Sequence, residues 1–287
     1  MDIRKAFLLS KSECRSWLAD PRISILFILV IYIHTFVAKP LLQTAELMEG
    51  KLNYLEIPIS LGSSGMVMLI LPVVFLVLIS DFPRIDSGNI YYIYRSGRIN
   101  WLIGEILYYI WTAIAYLFFI VLGCVVMVYP KCSVSFHWSY VVTKYNFRFP
   151  EKMGDYVDRL LPKKIYIQLN ILEAFMHTYL LLVLYLFLLG EILLVAFLVK
   201  KKKAGIMIDV FLITAGSALC EIKSNTMWLF PMAHTVPWLH YTDFYREPVV
   251  PIGYSYLYFI GILIALFCLA MHLCKKYNYI SMIEKGK

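Results

Sequence analysis

Two acidic residues, Glu191 and Asp209, lie inside otherwise apolar runs and are the side chains best suited to proton or cation chemistry. A carboxylate within a membrane span is costly to bury, so such residues often line an ion or proton path. A run of four lysines, 200–203, begins nine residues after Glu191 and ends six residues before Asp209. The pattern therefore predicts either a polar pathway or acids that are satisfied by the nearby ammonium groups or by water.

The string GSSG at residues 62–65 resembles the GxSG nucleophile motif of rhomboid proteases. A serine nucleophile needs a histidine base within hydrogen-bond reach, and the depth-compatible candidates for Ser64 are His177 and His34. Small residues at a close helix contact explain the same string more simply. We therefore expect a structural role and no catalytic residue.

Other chemistry is limited by what the sequence lacks. It has no GxxxxGK[ST] phosphate loop and no HExxH zinc motif, and its six cysteines form no CxxC pair, so we expect no cofactor and no metal bound by this chain. The composition is 61% hydrophobic and 16% charged, which excludes an ordinary water-soluble domain. The net charge of +8 comes from basic residues at the ends of apolar runs, which indicates membrane topology and not nucleic-acid binding.

Apolar runs predict an all-α membrane protein with six spans. A helix needs about 20 residues to cross a hydrocarbon core of about 30 Å. The runs lie at residues 23–38, 59–80, 103–128, 171–199, 204–222 and 253–274, in a single transmembrane domain covering 1–287. The first run is short, but Asp20 and Pro21 supply a helix start, and residues beyond Lys39 can extend it.

The distribution of basic residues predicts a cell-membrane protein with both termini in the cytosol. Sixteen lysines and arginines fall in the segments assigned inside, whereas the outer loops 39–58 and 223–252 hold two each. The probable extracellular loop 130–170 fits less well, because it carries seven basic residues.

Three connecting segments have a character of their own. Residues 1–20 predict an amphipathic interfacial helix with Trp17 at headgroup depth, or else a charged anchor for the first span. Residues 81–102 form a polar, aromatic insert on the cytosolic side, too long for a tight turn. Residues 228–254 are aromatic but contain four prolines, which predicts a broken, partly re-entrant segment on the outer side or a plain aromatic belt.

This layout resembles the membrane-spanning permease subunit of a bacterial type-2 ATP-binding cassette (ABC) transporter. The most specific local string is IYRSGRINW at residues 93–101, which is similar to the Arg-Ser-Gly-Arg stretch before the third span in that family. The likeness is architectural and covers essentially the whole chain. The chain departs from the family pattern in the length of loop 130–170, and it lacks an ATPase domain.

The resemblance implies that the insert contains a coupling helix that docks on a separate ABC ATPase subunit, which binds ATP and Mg²⁺. It implies a dimer with a second permease copy or homologue, and it favours export. The residues expected to contact the ATPase subunit are Arg84, Ile90, Tyr91, Tyr92, Ile93, Tyr94, Arg95 and Arg98.

Besides a hydrolase built on Ser64, one other function is open to the same sequence. An ATP-independent secondary carrier or channel would use Glu191 and Asp209, although the absence of a detectable internal repeat argues against it. A solvated cytosolic loop is the alternative to a coupling helix. No residue selects a substrate among peptide, lipid, glycan or drug.

Overall fold

The computed structural model describes residues 2–83, 95–129, 131–152, 154–244 and 248–276 of the chain. Within them, five helices are long and apolar enough to cross a membrane: α2 (Pro21–Leu47), α5 (Arg98–Val128), α9 (Ile171–Leu198), α10 (Lys202–Ile222) and α12 (Ile252–Lys276). A multi-pass, all-α membrane protein is therefore confirmed. The remaining predicted span, the second at residues 59–80, corresponds to a shorter apolar helix, α4 (Gly65–Leu78).

The second apolar run is divided, because its small residues interrupt the helix. A short helix α3 (Glu56–Leu61) precedes α4, and residues 62–64 separate the two. A Cβ on Gly62 would lie 2.4 Å from Cγ2 of Thr178, so only glycine allows this approach to α9. With 14 residues, α4 is about 21 Å long, less than a hydrocarbon core of about 30 Å.

The first span is longer than its apolar run, because the helix continues through Pro40. A proline has no N–H, so it leaves the carbonyl of the residue four positions earlier without its helical donor. That carbonyl belongs to Phe36, in a five-residue π-helical stretch (His34–Ala38), and it accepts a hydrogen bond of 2.7 Å from the hydroxyl of Tyr156. A residue from a distant segment thus compensates for the proline.

Side-chain contacts fix the direction of each spanning helix. Trp101 on α5 meets Phe197 on α9 with ring centroids 6.3 Å apart, and Arg98 donates from Nη1 to the carbonyl of Lys275 on α12 at 2.7 Å. The start of α5 therefore lies beside the ends of α9 and α12. Since α10 begins four residues after α9 ends, its start lies there too. We call this the basic end, defined by Arg98, Lys202 and Lys276, and the opposite side the loop end.

The N-terminal helix α1 (Ile3–Leu18) packs along the first half of α5 instead of lying free. The backbone N–H of Asp2 donates to Oδ1 of Asn100 at 2.9 Å, so the N-terminus is also at the basic end. A Cβ on Gly104 would lie 2.7 Å from Leu9 Cδ2 and 3.1 Å from the carbonyl oxygen of Ala6. This glycine lets the two helices approach closely. Trp17 is buried against protein and 4% exposed, and its depth in the membrane stays a prediction.

The segment between α5 and α9 folds into a small element at the loop end. It contains β2 (Cys132–Ser133), α6 (Tyr140–Arg148), α7 (Tyr156–Leu160) and α8 (Lys163–Gln168). Strand β2 pairs in parallel with β1 (Leu52–Asn53), in the register Leu52 to Cys132. The unusual length of this loop thus builds a structured cap over the loop end.

The segment between α10 and α12 is broken, as its prolines predict. Its described part holds two 3-10 turns (Asn225–Leu229 and Pro237–His240) around the short helix α11 (Pro231–Thr235). Pro231 and Pro237 each occupy a helix start, where the missing N–H costs nothing. Met232 packs against Gly216 of α10, so this segment lies on the bundle.

Candidate functional site

At the basic end, α5 extends beyond the start of α2 and the end of α4. Arg22, at the start of α2, forms an ion pair with Asp81 and donates to Oγ of Ser80 at 2.9 Å. Phe82, the residue after Asp81, stacks on Tyr108 with ring centroids 5.6 Å apart. This polar junction therefore lies beside Tyr108, ten residues after the start of α5.

Helix length gives the scale of the projection. With 31 residues, α5 is about 46 Å long, whereas a hydrocarbon core measures about 30 Å. The turns of α5 before Tyr108 account for about 15 Å of the excess. They are covered by α1, through Ala6, Leu9 and Gly104. The basic end thus presents a two-helix platform of α1 and the first turns of α5.

A cavity of about 540 Å³ opens between these two helices. Its wall combines polar and apolar side chains and contains both basic and acidic groups. The lining residues are Lys5, Leu8, Leu9, Ser12, Glu13, Arg95, Ser96, Trp101 and Glu105. Arg95 and Ser96 belong to the insert, so the described part of the insert contributes to the wall of this cavity.

Of the residues expected to contact an ATPase subunit, the structure describes two. Arg95 and Arg98 are exposed at the basic end, and Arg98 also holds the end of α12 through the carbonyl of Lys275. Arg84, Ile90, Tyr91, Tyr92, Ile93 and Tyr94 lie outside the described residues. Their docking role stays a prediction.

The two intramembrane acids are fully buried, and they are not hydrogen-bonded to each other. Glu191 on α9 is 1% exposed and Asp209 on α10 is 0% exposed. Neither Oε2 of Glu191 nor either carboxylate oxygen of Asp209 has a hydrogen-bond partner. Satisfaction by the ammonium groups of 200–203, one of the two expectations, is thus not seen for these oxygens.

The serine motif shows no catalytic geometry. Ser64 is the N-cap residue of α4, and Oγ of Ser63 is buried without a hydrogen-bond partner. Nδ1 of His177 pairs with the hydroxyl of Tyr256 at 2.8 Å, and not with either serine. The GSSG string therefore acts as a helix break at the Gly62 contact.

A buried carboxylate that sequence reasoning missed ties β1 to the start of α6 at the loop end. Glu56 is 0% exposed, and its two oxygens accept from the backbone N–H groups of Asn53 at 2.9 Å and Ser139 at 2.6 Å. Burial raises the pKa of this carboxyl group to about 7, although the two N–H donors act in the opposite direction. The only sequence signal was an acid immediately before an apolar run.

A second missed cluster joins the broken segment to α12. His234 and His240, both at most 5% exposed, contact the hydroxyl of Ser255, which is 0% exposed. Burial lowers the pKa of both rings, that of His240 to about 4, and hydrogen bonds to backbone carbonyls oppose the shift. Two histidines within a stretch rich in proline and aromatic residues were the available signal.

Comparison with protein-family models, with curated proteins and with solved structures finds no match to this chain. Among the described residues, no group of three or more His, Cys, Asp or Glu side chains is arranged to hold a metal ion. The assignment of the chain to the multi-pass membrane proteins rests on its five long apolar helices.

Proposed function

We propose that this chain is the membrane-spanning permease subunit of an ABC exporter, driven by ATP hydrolysis on separate subunits. The observation that carries the proposal is the platform at the basic end. Helices α1 and α5 line a cavity together with Arg95 and Ser96 of the insert, and the ends of α9 and α12 adjoin the start of α5. A soluble partner that moved the insert would act on the ends of several spans at once.

The charge of the basic end supports a cytosolic orientation, because basic residues are retained on that side of a membrane. Arg98, Lys202 and Lys276 lie at helix ends there, and Asp2 places the N-terminus on the same side. The absence of a phosphate loop from the sequence requires that a partner bind ATP. A second permease copy would complete the translocation path.

Co-purification tests the proposal. A tagged full-length chain extracted in mild detergent from its native host is expected to retain a P-loop ATPase, identified by mass spectrometry and by vanadate-sensitive ATP hydrolysis. The variant Arg95→Glu reverses an exposed charge within the insert, so retention should fall about tenfold. Replacing Tyr91, Ile93 and Tyr94 together by alanine should abolish it.

The matched control is Lys144→Glu, which reverses an exposed charge on α6 at the loop end. It should retain the ATPase as the unaltered chain does, with equal membrane insertion. The proposal is wrong if the unaltered chain retains no P-loop ATPase, or if Lys144→Glu weakens retention as much as Arg95→Glu.

A second function is favoured by one observation, the three buried carboxylate oxygens on Glu191 and Asp209 that lack partners. We propose as the alternative an ATP-independent carrier in which these acids bind the coupling proton or cation. Uptake or release by the purified chain in proteoliposomes, under a proton gradient without ATP, would favour this function. Loss of that flux in Glu191→Gln, with intact folding, would assign the role to the acid.

A further inference from the structure

Three side chains at the loop end form one continuous hydrogen-bonded chain. Nε2 of His234 lies 2.9 Å from the carbonyl oxygen of Trp228, and its Nδ1 lies 2.8 Å from Oγ of Ser255. On the other side, Nε2 of His240 lies 2.6 Å from the same Oγ, and its Nδ1 lies 3.0 Å from the carbonyl oxygen of Val236. This hydrogen-bonded series therefore contains four contacts, each of which needs one hydrogen.

The neutral side chains supply only three hydrogens. A neutral imidazole carries one N–H, and a serine hydroxyl carries one O–H. The carbonyl oxygens of Trp228 and Val236 accept only, so each ring must turn its N–H toward its carbonyl. Both remaining ring nitrogens then present lone pairs to Ser255, whose single hydrogen can satisfy one of them. At 2.6 and 2.8 Å, the other contact would set two lone pairs against each other.

We propose that His234, Ser255 and His240 form a buried proton-binding site that takes up one proton in the folded protein. With this proton every contact is a hydrogen bond. Cationic His234 donates to Trp228 and to Ser255, Ser255 donates to His240, and neutral His240 donates to Val236. The proposal rests on the geometry of this cluster and is independent of the transport function proposed above.

The ring environment assigns the charge to His234. The ring of Tyr258 stacks on it with centroids 4.0 Å apart and planes inclined by 21°, which places a negative aromatic face against the imidazole. Trp228 approaches the same ring edge-on at 5.4 Å. His240 faces Trp228 edge-on at 5.1 Å and has no stacked partner of this kind in the described structure.

Among the described residues, no acidic side chain is one of the groups that act on His234. His177 on α9 acts on His240 as a like charge, and it pairs with Tyr256 of α12. Tyr185 of α9 interacts with Tyr258 and with two groups of α10, Cys220 and the carboxyl group of Asp209, and none of these is among the groups that shift the pKa of His234. The ammonium group of Lys223 lies over the ring of Trp238, 5.5 Å from its centroid. The charge on His234 is thus held by dipoles and aromatic faces.

Proton uptake has a structural consequence. Trp228 and Val236 belong to the broken segment, whereas Ser255 belongs to the first turn of α12. The two hydrogen bonds at Ser255 fasten this segment to the last span, and the other two lie within the segment. Loss of the proton removes one bond at Ser255, so the fastening is weaker at high pH.

Nitrogen-15 NMR of the histidine-labelled full-length chain in lipid nanodiscs tests the site. The six histidine signals are assigned by single His→Asn variants. Because burial lowers the pKa of both rings, the protonated cluster is measured at pH 5. At that pH we expect both ring nitrogens of His234 to carry hydrogen, and only Nδ1 of His240 to do so. Two neutral rings at pH 5 would overturn the proposal.

Variants separate this cluster from a general effect of burial. Ser255→Ala removes the shared contact, and His240→Phe frees the serine hydroxyl to donate to neutral His234. Each should lower the pKa of His234 by about one to two units. Tyr256→Phe, the next residue on the same helix, removes the partner of His177 and should leave His234 unchanged. An equal shift in Tyr256→Phe, or no shift in either cluster variant, would refute the assignment.

Discussion

Glu56 provides a quantitative test of how the loop end is held. The variant is Glu56→Gln, which keeps the shape of the side chain and removes its titration. The carboxyl pKa is about 7 in the folded protein, against an ordinary value of 4.5. Because the folded value is the higher one, the stabilising contribution is fully present below about pH 4.5 and is lost as the pH rises through 7.

The size of the effect follows from the two pKa values. A difference of about 2.5 units corresponds to about 3 kcal/mol, since one unit is worth about 1.4 kcal/mol. Opening of residues 131–139 away from β1 releases Glu56 into water, so the opening equilibrium should carry this pH dependence. Between pH 5 and pH 8.5 it should rise roughly fifty- to hundredfold in the native chain relative to Glu56→Gln.

Cys132 reports the opening, because it is 7% exposed and lies in β2 beside Leu52. The measurement is the rate of labelling by a membrane-impermeant maleimide, in a chain where Cys132 is the single cysteine. Taking the ratio of the native rate to the Glu56→Gln rate cancels the pH dependence of the thiol itself. A ratio that stays constant over this range would refute the reasoning, and labelling from outside intact cells would place the loop end outside.

Three further changes test other contacts. Gly104→Leu should separate α1 from α5, because the carbonyl oxygen of Ala6 cannot move aside, and labelling of half-buried Cys14 should then rise at least about tenfold. Tyr156→Phe should cost about 1 kcal/mol, seen as a lower thermal midpoint, through the lost bond to the π-helical stretch. Asp209→Leu should raise that midpoint by removing two unpartnered oxygens, worth about 1 to 3 kcal/mol. An unchanged labelling rate or midpoint would contradict each in turn.

Under the proposed transport function, movement of the last span, α12, would act on its contact with the broken segment. A permease must alternate between two arrangements of its spans, and α12 connects the basic end, through Lys275, with the histidine cluster at the loop end. Motion of that helix would therefore strain the two hydrogen bonds at Ser255. The proton-binding site can be measured whether or not an ATPase partner is found.

Much of the fold was predictable because apolar run length is a local property. Predicted residues 171–199 and 204–222 compare with helices at Ile171–Leu198 and Lys202–Ile222. Pro231 and Pro237 were read as breaks, and short helices begin at both. In each case the physical cause lies within a few residues of the feature.

The first and second spans were harder to predict, because distant residues determine them. Helix α2 continues through Pro40 since Tyr156, far along the chain, satisfies the carbonyl that proline leaves open. The second run divides at Gly62 because Thr178 of α9 occupies the space a side chain would need. Neither partner can be inferred from the sequence around the break.

The sequence by itself determined that this chain is a multi-pass membrane protein with a basic end, because hydrophobicity and charge act through composition and spacing. Only the tertiary structure decided which polar groups meet. His234 and His240 share Ser255, and Glu56 accepts from Asn53 and Ser139, through contacts that depend on helix packing. Buried hydrogen bonds are directional and join residues far apart in sequence, so periodicity carries no record of them.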